Sequence, residues 1–97
     1  MSESPRSIVY GIRCIENGRI YIGSTIYQDL RWQQHRLALR AGQHHNPHLQ
    51  SDWYLYGEDK FEFLVLERDV YECGLAEYKW WLVHKTHTYN WMKGRYT

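Results

Sequence analysis

The chain has 97 residues and a mass of 11.9 kDa, enough for one compact domain and too little for two. Hydrophobic residues at 43% and aromatic residues at 16% exclude a disordered tail. No apolar run is long enough to cross a bilayer, and Met1 to Arg6 lacks the apolar core of a signal peptide, so a soluble cytoplasmic protein, not a secreted one, is expected.

Ser7 to Ile15 alternates and is rich in β-formers, and Asn17-Gly18 is the strongest short hairpin signal. Arg19 to Gly23 continues as a second strand. Asp29 is placed to cap a helix running to about Ala41, where Gly42 supplies the stop. Asn46-Pro47 then reads as a cap followed by proline at the first helical position, opening a short helix that ends near Tyr56-Gly57. Phe61 to Glu67 is apolar on both faces and is predicted to be the central strand. Gly74 precedes a last helix from about Leu75 to Lys85, with Tyr78, Trp80 and Trp81 directed at the core, and Trp32, Trp53 and Trp91 are likewise assigned to core packing. The order β-β-α-α-β-α predicts a mixed α+β fold, a small three-stranded antiparallel sheet flanked by three helices.

Charge is segregated although the net charge is only +1. Leu30 to Ser51 holds no acid, only Arg31, Arg36, Arg40, His35, His44, His45 and His48, and Lys79 to Thr97 is likewise acid-free, with Lys79, Lys85, Lys93 and Arg95. Brought together by the fold, these stretches would make a basic face able to follow a phosphate backbone; kept apart, they are ordinary solvated helix faces. Cys14 and Cys73 sit in no metal-binding pattern and are expected as thiols. The run His44, His45 and His48 has no cysteine or carboxylate nearby and is broken by Pro47, so loop histidines touching phosphate are preferred over a zinc site.

Five segments in order carry a more specific signal: Ile8-Val9-Tyr10, Tyr21-Ile22-Gly23-Ser24, Arg31 to His35, Glu77 to Trp80, and Tyr89-Asn90. Together they resemble the motifs of the GIY-YIG nuclease family, from about Ser7 to Asn90, so that the whole chain reads as one such domain. The first motif departs from the family, with Ile8 and Val9 where glycine and isoleucine are usual, but keeps the tyrosine. Gly42-Gln43-His44 and the stretch Leu49 to Gly57 are similar to the branch of phage and intron homing endonucleases. The resemblance implies a DNA endonuclease dependent on Mg²⁺ or Mn²⁺, with Glu77 as metal ligand, Arg31 as transition-state clamp, and His44 and Asn90 at supporting positions. The alternative is an inactive DNA-binding or interaction module on the same fold. DNA is the partner implied; a homodimer or a separate DNA-binding partner would supply specificity, since the family usually adds a DNA-binding domain that these residues do not contain.

The residue types suit that chemistry. Hydrolysis of a phosphodiester needs a base for water, positive charge on the phosphoryl oxygens and assistance to the leaving oxygen. A single carboxylate, Glu77, suits a magnesium-like ion that keeps several waters. Arg31 and His35, four apart, share a helix face, and a guanidinium offers paired donors to phosphate at any working pH. His35 would orient or deprotonate a tyrosine or water. Gly23 and Ser24 are expected to admit a phosphate close to the backbone, and Arg36 and Arg40 to contact DNA backbone. A two-residue turn at Asn17-Gly18 would put Tyr10 and Tyr21 on one face but roughly 13 Å apart along the ladder, whereas a bulged three-residue loop would put them on opposite faces. Tyr10 is taken as the base and Tyr21 as its water-positioning partner.

Overall fold

The computed structural model describes residues 6–90; Met1 to Pro5, and with them Trp91, Lys93 and Arg95, lie outside the described residues. Its elements are β1 (Ser7–Cys14), β2 (Ile20–Thr25), α1 (Gln28–Ala41), α2 (Pro47–Tyr56), a single 3₁₀ turn at Glu58–Lys60, β3 (Phe61–Val70) and α3 (Cys73–His84). The sheet is antiparallel with strand order β2-β1-β3, which is the β-β-α-α-β-α arrangement expected. No helix is long and apolar enough to cross a membrane among the described residues.

The central strand is β1, not β3. Val9, Ile12 and Cys14 are wholly buried and Tyr10 nearly so. Apolar residues on both faces of β3 reflect coverage rather than centrality. Phe61 and Phe63 meet Trp32 and Trp53 from α1 and α2 on one face, while Leu66 and Val70 meet Ala76, Trp80 and Trp81 of α3 on the other. A strand sandwiched between helices needs apolar residues on both sides wherever it stands in the sheet. Of the tryptophans assigned to the core, Trp53 is buried and Trp32, Trp80 and Trp81 are partly so. Tyr78, half-buried, stacks on Trp81 with ring centroids 6.0 Å apart.

The hairpin forms with a four-residue loop, Ile15 to Gly18, rather than a two-residue turn. Cys14 exchanges its backbone with both ends of that loop: its N–H donates to Arg19 O at 2.8 Å and its carbonyl accepts from Gly18 N at 2.8 Å. Gly18 takes φ +74°, which a residue with a Cβ adopts only at a cost. The longer loop shifts the pairing by two residues, so Ile12 faces Tyr21 and Tyr10 faces Gly23. Because the shift is even, every side chain keeps its face.

Helix α1 begins one residue before Asp29. Thr25 Oγ1 accepts from Tyr27 N at 2.9 Å ahead of it, and Asp29 lies in the first turn, where the helix dipole favours a carboxylate without any capping bond from it. Gly42 ends the helix in the left-handed conformation, its N–H and that of Gln43 returning to Leu39 and Ala38. Asn46 caps α2 as expected, accepting from Leu49 N at 3.0 Å ahead of Pro47, an interaction worth about 1 kcal/mol. Buried Gln50 ties the two helices together, donating to Leu39 O at 3.0 Å and accepting from His44 N at 2.9 Å.

The outer edge of β2 is closed by the segment after α3. Ile20 N donates to His87 O, Tyr89 N donates to Ile20 O, and the Asn90 side chain grips Ile22, accepting from its N at 2.6 Å and donating to its O at 2.7 Å. An otherwise unpaired strand edge is thereby satisfied.

Candidate active site

Helices α1 and α2 cover one face of the sheet and α3 the other, yet residues from both faces converge at β2. Alternation makes this possible: Tyr21 belongs to the α1/α2 face with Ile12, whereas Ser24 pairs with Val9 on the α3 face. A cavity of about 330 Å³ wraps around this edge, lined among others by Tyr10, Tyr21, Ser24, Arg31, His45 and Glu77. Gly23, Asn46 and Asn90 also reach its wall.

The register removes the separation expected between the two tyrosines. With Tyr21 opposite Ile12, they are two residues apart along the ladder, roughly 7 Å. His35 lies between them, its Nε2 2.6 Å from Tyr10 Oη and its ring edge-on to Tyr21 at 5.2 Å. Burial pushes the Tyr10 phenol well above the ordinary tyrosine range and raises that of Tyr21, and the nearby Arg31 guanidinium draws both back down. Arg31 and His35 share one face of α1, with Arg31 Nη1 also donating to Gln34 Oε1 at 3.2 Å. Across the edge, Ser24 Oγ donates to Glu77 Oε2 in a short hydrogen bond.

Gly23 does not leave backbone bare for a phosphate. A Cβ there would stand 2.5 Å from Tyr10 Oη and 2.6 Å from its Cζ, so the absent side chain is the space the phenol occupies. Gly23→Ala is therefore expected to displace Tyr10, costing roughly 1–3 kcal/mol by overpacking and most of the activity. Chemical denaturation together with a cleavage assay checks both, and an unchanged rate would detach the Tyr10 phenol from the reaction.

The adjacent histidines take different places. His44 is buried and does not line the cavity: its Nε2 is 2.7 Å from His35 Nδ1 and its Nδ1 accepts from Asn46 N at 3.0 Å. His45 is exposed, stacks on His44 at 4.4 Å, and puts Nε2 3.0 Å from Tyr21 Oη inside the cavity. Asn46 was not assigned to the site from sequence and His45 only as a loop histidine touching phosphate; the available signal was their place in the short segment from the α1 stop to the α2 cap. Helix α2 points His48 to solvent, and among the described residues no three His, Cys, Asp or Glu side chains converge as a metal cluster.

Burial first, then Arg31 and the neighbouring histidines, hold His35 down at about 3; burial, His45 and Arg31 hold His44 at about 4. Both pKa values lie below the ordinary 6.5, so the unfolded chain binds more protons. Stability from this source is full above about pH 6.5 and falls as pH drops toward 4 and 3. Denaturation at successive pH values should show this slope in the wild type and a shallower one in His35→Gln; equal slopes would contradict it.

Among the described residues the basic stretches do not merge into one face, because α1 and α3 lie on opposite sides of the sheet; Lys93 and Arg95 lie outside the described residues. Arg40 is held by Glu58 through bonds of 2.9 and 2.6 Å, and Lys79 by Glu67 at 2.6 Å. Arg36 sits over the Phe63 ring at 4.2 Å, beside a different groove lined by Trp53 and Asp59. Neither Arg36 nor Arg40 reaches the cavity. Arg40→Ala should accordingly change the salt dependence of DNA binding by less than the roughly one unit that a lost phosphate contact produces; a full unit would return Arg40 to the DNA face. Asn90 reaches the cavity wall, but its amide is engaged by Ile22, so it positions the strand carrying Gly23 and Ser24.

The family model described as the GIY-YIG catalytic domain matches residues 6–90. The catalytic domain of homing endonuclease I-TevI superposes with a TM-score of 0.80 at 29% identity, covering 88% of this chain and 97% of that one. A glutamate-to-alanine mutant of the catalytic domain of intron endonuclease I-TevI gives a TM-score of 0.76 at 30% identity, covering 88% and 92%. No curated protein matches the chain.

Proposed function

Because this chain belongs to the GIY-YIG family and is an endonuclease of that type, we propose that it hydrolyses phosphodiester bonds of DNA by single-metal, in-line attack of water. The observation that carries the proposal is the convergence of Tyr10, Tyr21, Arg31 and Glu77 on one cavity from both faces of the sheet. The donor set fits a divalent ion that keeps most of its waters: one carboxylate, Glu77, bonded to the Ser24 hydroxyl at a polar wall. Glu77 would hold Mg²⁺ or Mn²⁺, and the bound ion supplies Lewis-acid charge at the phosphate and the leaving oxygen.

The remaining tasks fall to the chain itself. Arg31 is placed to clamp the non-bridging oxygens, and its charge also favours the phenolate form that a tyrosine base must reach. Tyr10, backed by His35, takes the proton of the attacking water. Tyr21, bonded to His45, positions that water. Sequence specificity would come from a homodimer or a separate DNA-binding partner.

Labelled single-stranded, duplex and branched DNA, digested with and without magnesium, tests the proposal. Magnesium-dependent cleavage of any of them is expected, and binding without cleavage under both conditions would leave an inactive DNA-binding module. Within the site, Tyr10→Phe should reduce the single-turnover rate by at least roughly tenfold more than Tyr21→Phe, since it removes the proton acceptor. Equal losses would withdraw the base assignment from Tyr10.

A further inference from the structure

Three hydrogen bonds run in series from the backbone of the α2 cap to the Tyr10 phenol, and their direction follows from the first of them. A backbone N–H can only donate, so the bond from Asn46 N requires a lone pair on His44 Nδ1. The ring proton of His44 is then on Nε2, which faces His35 Nδ1 at 2.7 Å. That contact requires a lone pair on His35 Nδ1 and leaves the His35 proton on Nε2, 2.6 Å from Tyr10 Oη.

We infer that Asn46, His44 and His35 form a one-way chain in which each ring carries its proton on Nε2 and His35 donates to the Tyr10 oxygen. Neither ring can be doubly protonated while the chain is intact, because each uses Nδ1 as an acceptor. The chain is sheltered: His35 is 1% and His44 9% exposed. Its far end is held by more than one contact, since the Asn46 side chain caps α2 through Leu49 N and donates to Tyr89 O, while Gln50 holds the His44 backbone.

The direction assigns His35 a definite role. It is not the acceptor of the Tyr10 proton, so of the two functions expected of it, orienting and deprotonating, the first remains. Tyr10 receives the His35 hydrogen bond on its oxygen and keeps its own proton for the cavity side; once that proton has passed to solvent water in the cavity, the Nε2–H of His35 remains to stabilise the phenolate. Asn46 and His44 are positioning residues that act through His35, and Asn46 contributes by its backbone, which no side-chain substitution removes.

This inference rests on the proposed role of Tyr10, but its first test does not depend on cleavage. In ¹⁵N-histidine-labelled protein free of DNA, long-range ¹H–¹⁵N spectra distinguish a protonated from an unprotonated ring nitrogen, and loss of signals in His35→Gln and His44→Gln assigns the two rings. Both should be protonated on Nε2 alone from pH 8 to about 5, well above the values of about 3 and about 4 at which these rings would titrate. A proton on Nδ1 of His35, or an ordinary titration near 6.5 in either ring, would overturn the chain even if the enzyme cleaves DNA. The second test compares His35→Gln, whose amide can still donate to Tyr10, with His35→Leu, which cannot. With ¹³Cζ-labelled tyrosine, the Tyr10 titration should lie higher in His35→Leu than in His35→Gln, and the single-turnover rate should be at least roughly tenfold lower, the scale of one lost donor. If His35→Leu does not fold, His35→Asn, too short to reach Tyr10, replaces it in the comparison. Equal Tyr10 titrations in the donating and non-donating variants would refute donation by His35.

Discussion

Glu77→Ala or Glu77→Gln should abolish metal-dependent cleavage and leave the fold in place. The packing of α3 rests on Ala76, Trp80 and Trp81 against Val9, Ile20, Ile22 and Val70, a set to which Glu77 does not belong. Its carboxylate accepts from Ser24 at the cavity wall. Removing the carboxylate therefore costs the sheet little, while the proposed metal loses the one carboxylate at that wall among the described residues. The expected loss is several kcal/mol of transition-state stabilisation, roughly 10³-fold or more in single-turnover rate. Glutamine is the sharper variant, because it keeps the shape and can still accept from Ser24. Circular dichroism and thermal melts should overlay those of the parent, with cleavage measured in Mg²⁺ and in Mn²⁺. A near-parental rate in either variant would overturn the metal assignment.

Arg31→Lys should reduce turnover by roughly 10²-fold or more, the scale of losing one preorganised donor at a developing charge, while DNA affinity changes little. Lysine keeps the charge but not the paired donors, so the substitution separates geometry from electrostatic attraction. The contrast is cleaner in the folded molecule than along the chain. Arg36 and Arg40 belong to the same acid-free stretch, but one lies over Phe63 and the other is held by Glu58, leaving Arg31 as the arginine of that stretch lining the cavity. Single-turnover rates, with binding followed at several salt concentrations in calcium, separate the two effects. Should Arg31→Lys weaken binding and spare the saturated rate, Arg31 is an ordinary phosphate contact and not the clamp.

Several features were legible because they depend on neighbours in sequence. The Asn46-Pro47 cap, the Gly42 stop and the β-β-α-α-β-α order follow from local backbone preference and hydrophobic period, and the folded chain has all of them. Arg31 and His35 share a face because four residues make about one helical turn. The shared face of Tyr10 and Tyr21 was one of two outcomes left open along the chain, and it holds because the loop is two residues longer than a turn at Asn17-Gly18: an even shift preserves the alternation that a bulged three-residue loop would have reversed.

What parity could not supply was distance. Whether the tyrosines stand roughly 13 Å or roughly 7 Å apart depends on which bonds Cys14 makes across the loop. The different places of His44 and His45 were likewise beyond local pattern. Adjacent residues in a loop have no period to sort them, and the ring that goes inward is the one Gln50, His35 and Asn46 can satisfy. Sequence by itself determined the elements, their order and the residue types that suit phosphodiester chemistry, because propensity, capping and periodicity are short-range. It took the tertiary structure to decide that β1 is central, that the basic residues of α1 and Lys79 of α3 lie on opposite faces, and that Ser24 and Glu77 meet Tyr10, Tyr21 and Arg31 around the edge of β2. Those are relations between segments far apart in the chain, set by which surfaces bury best against one another rather than by any local preference.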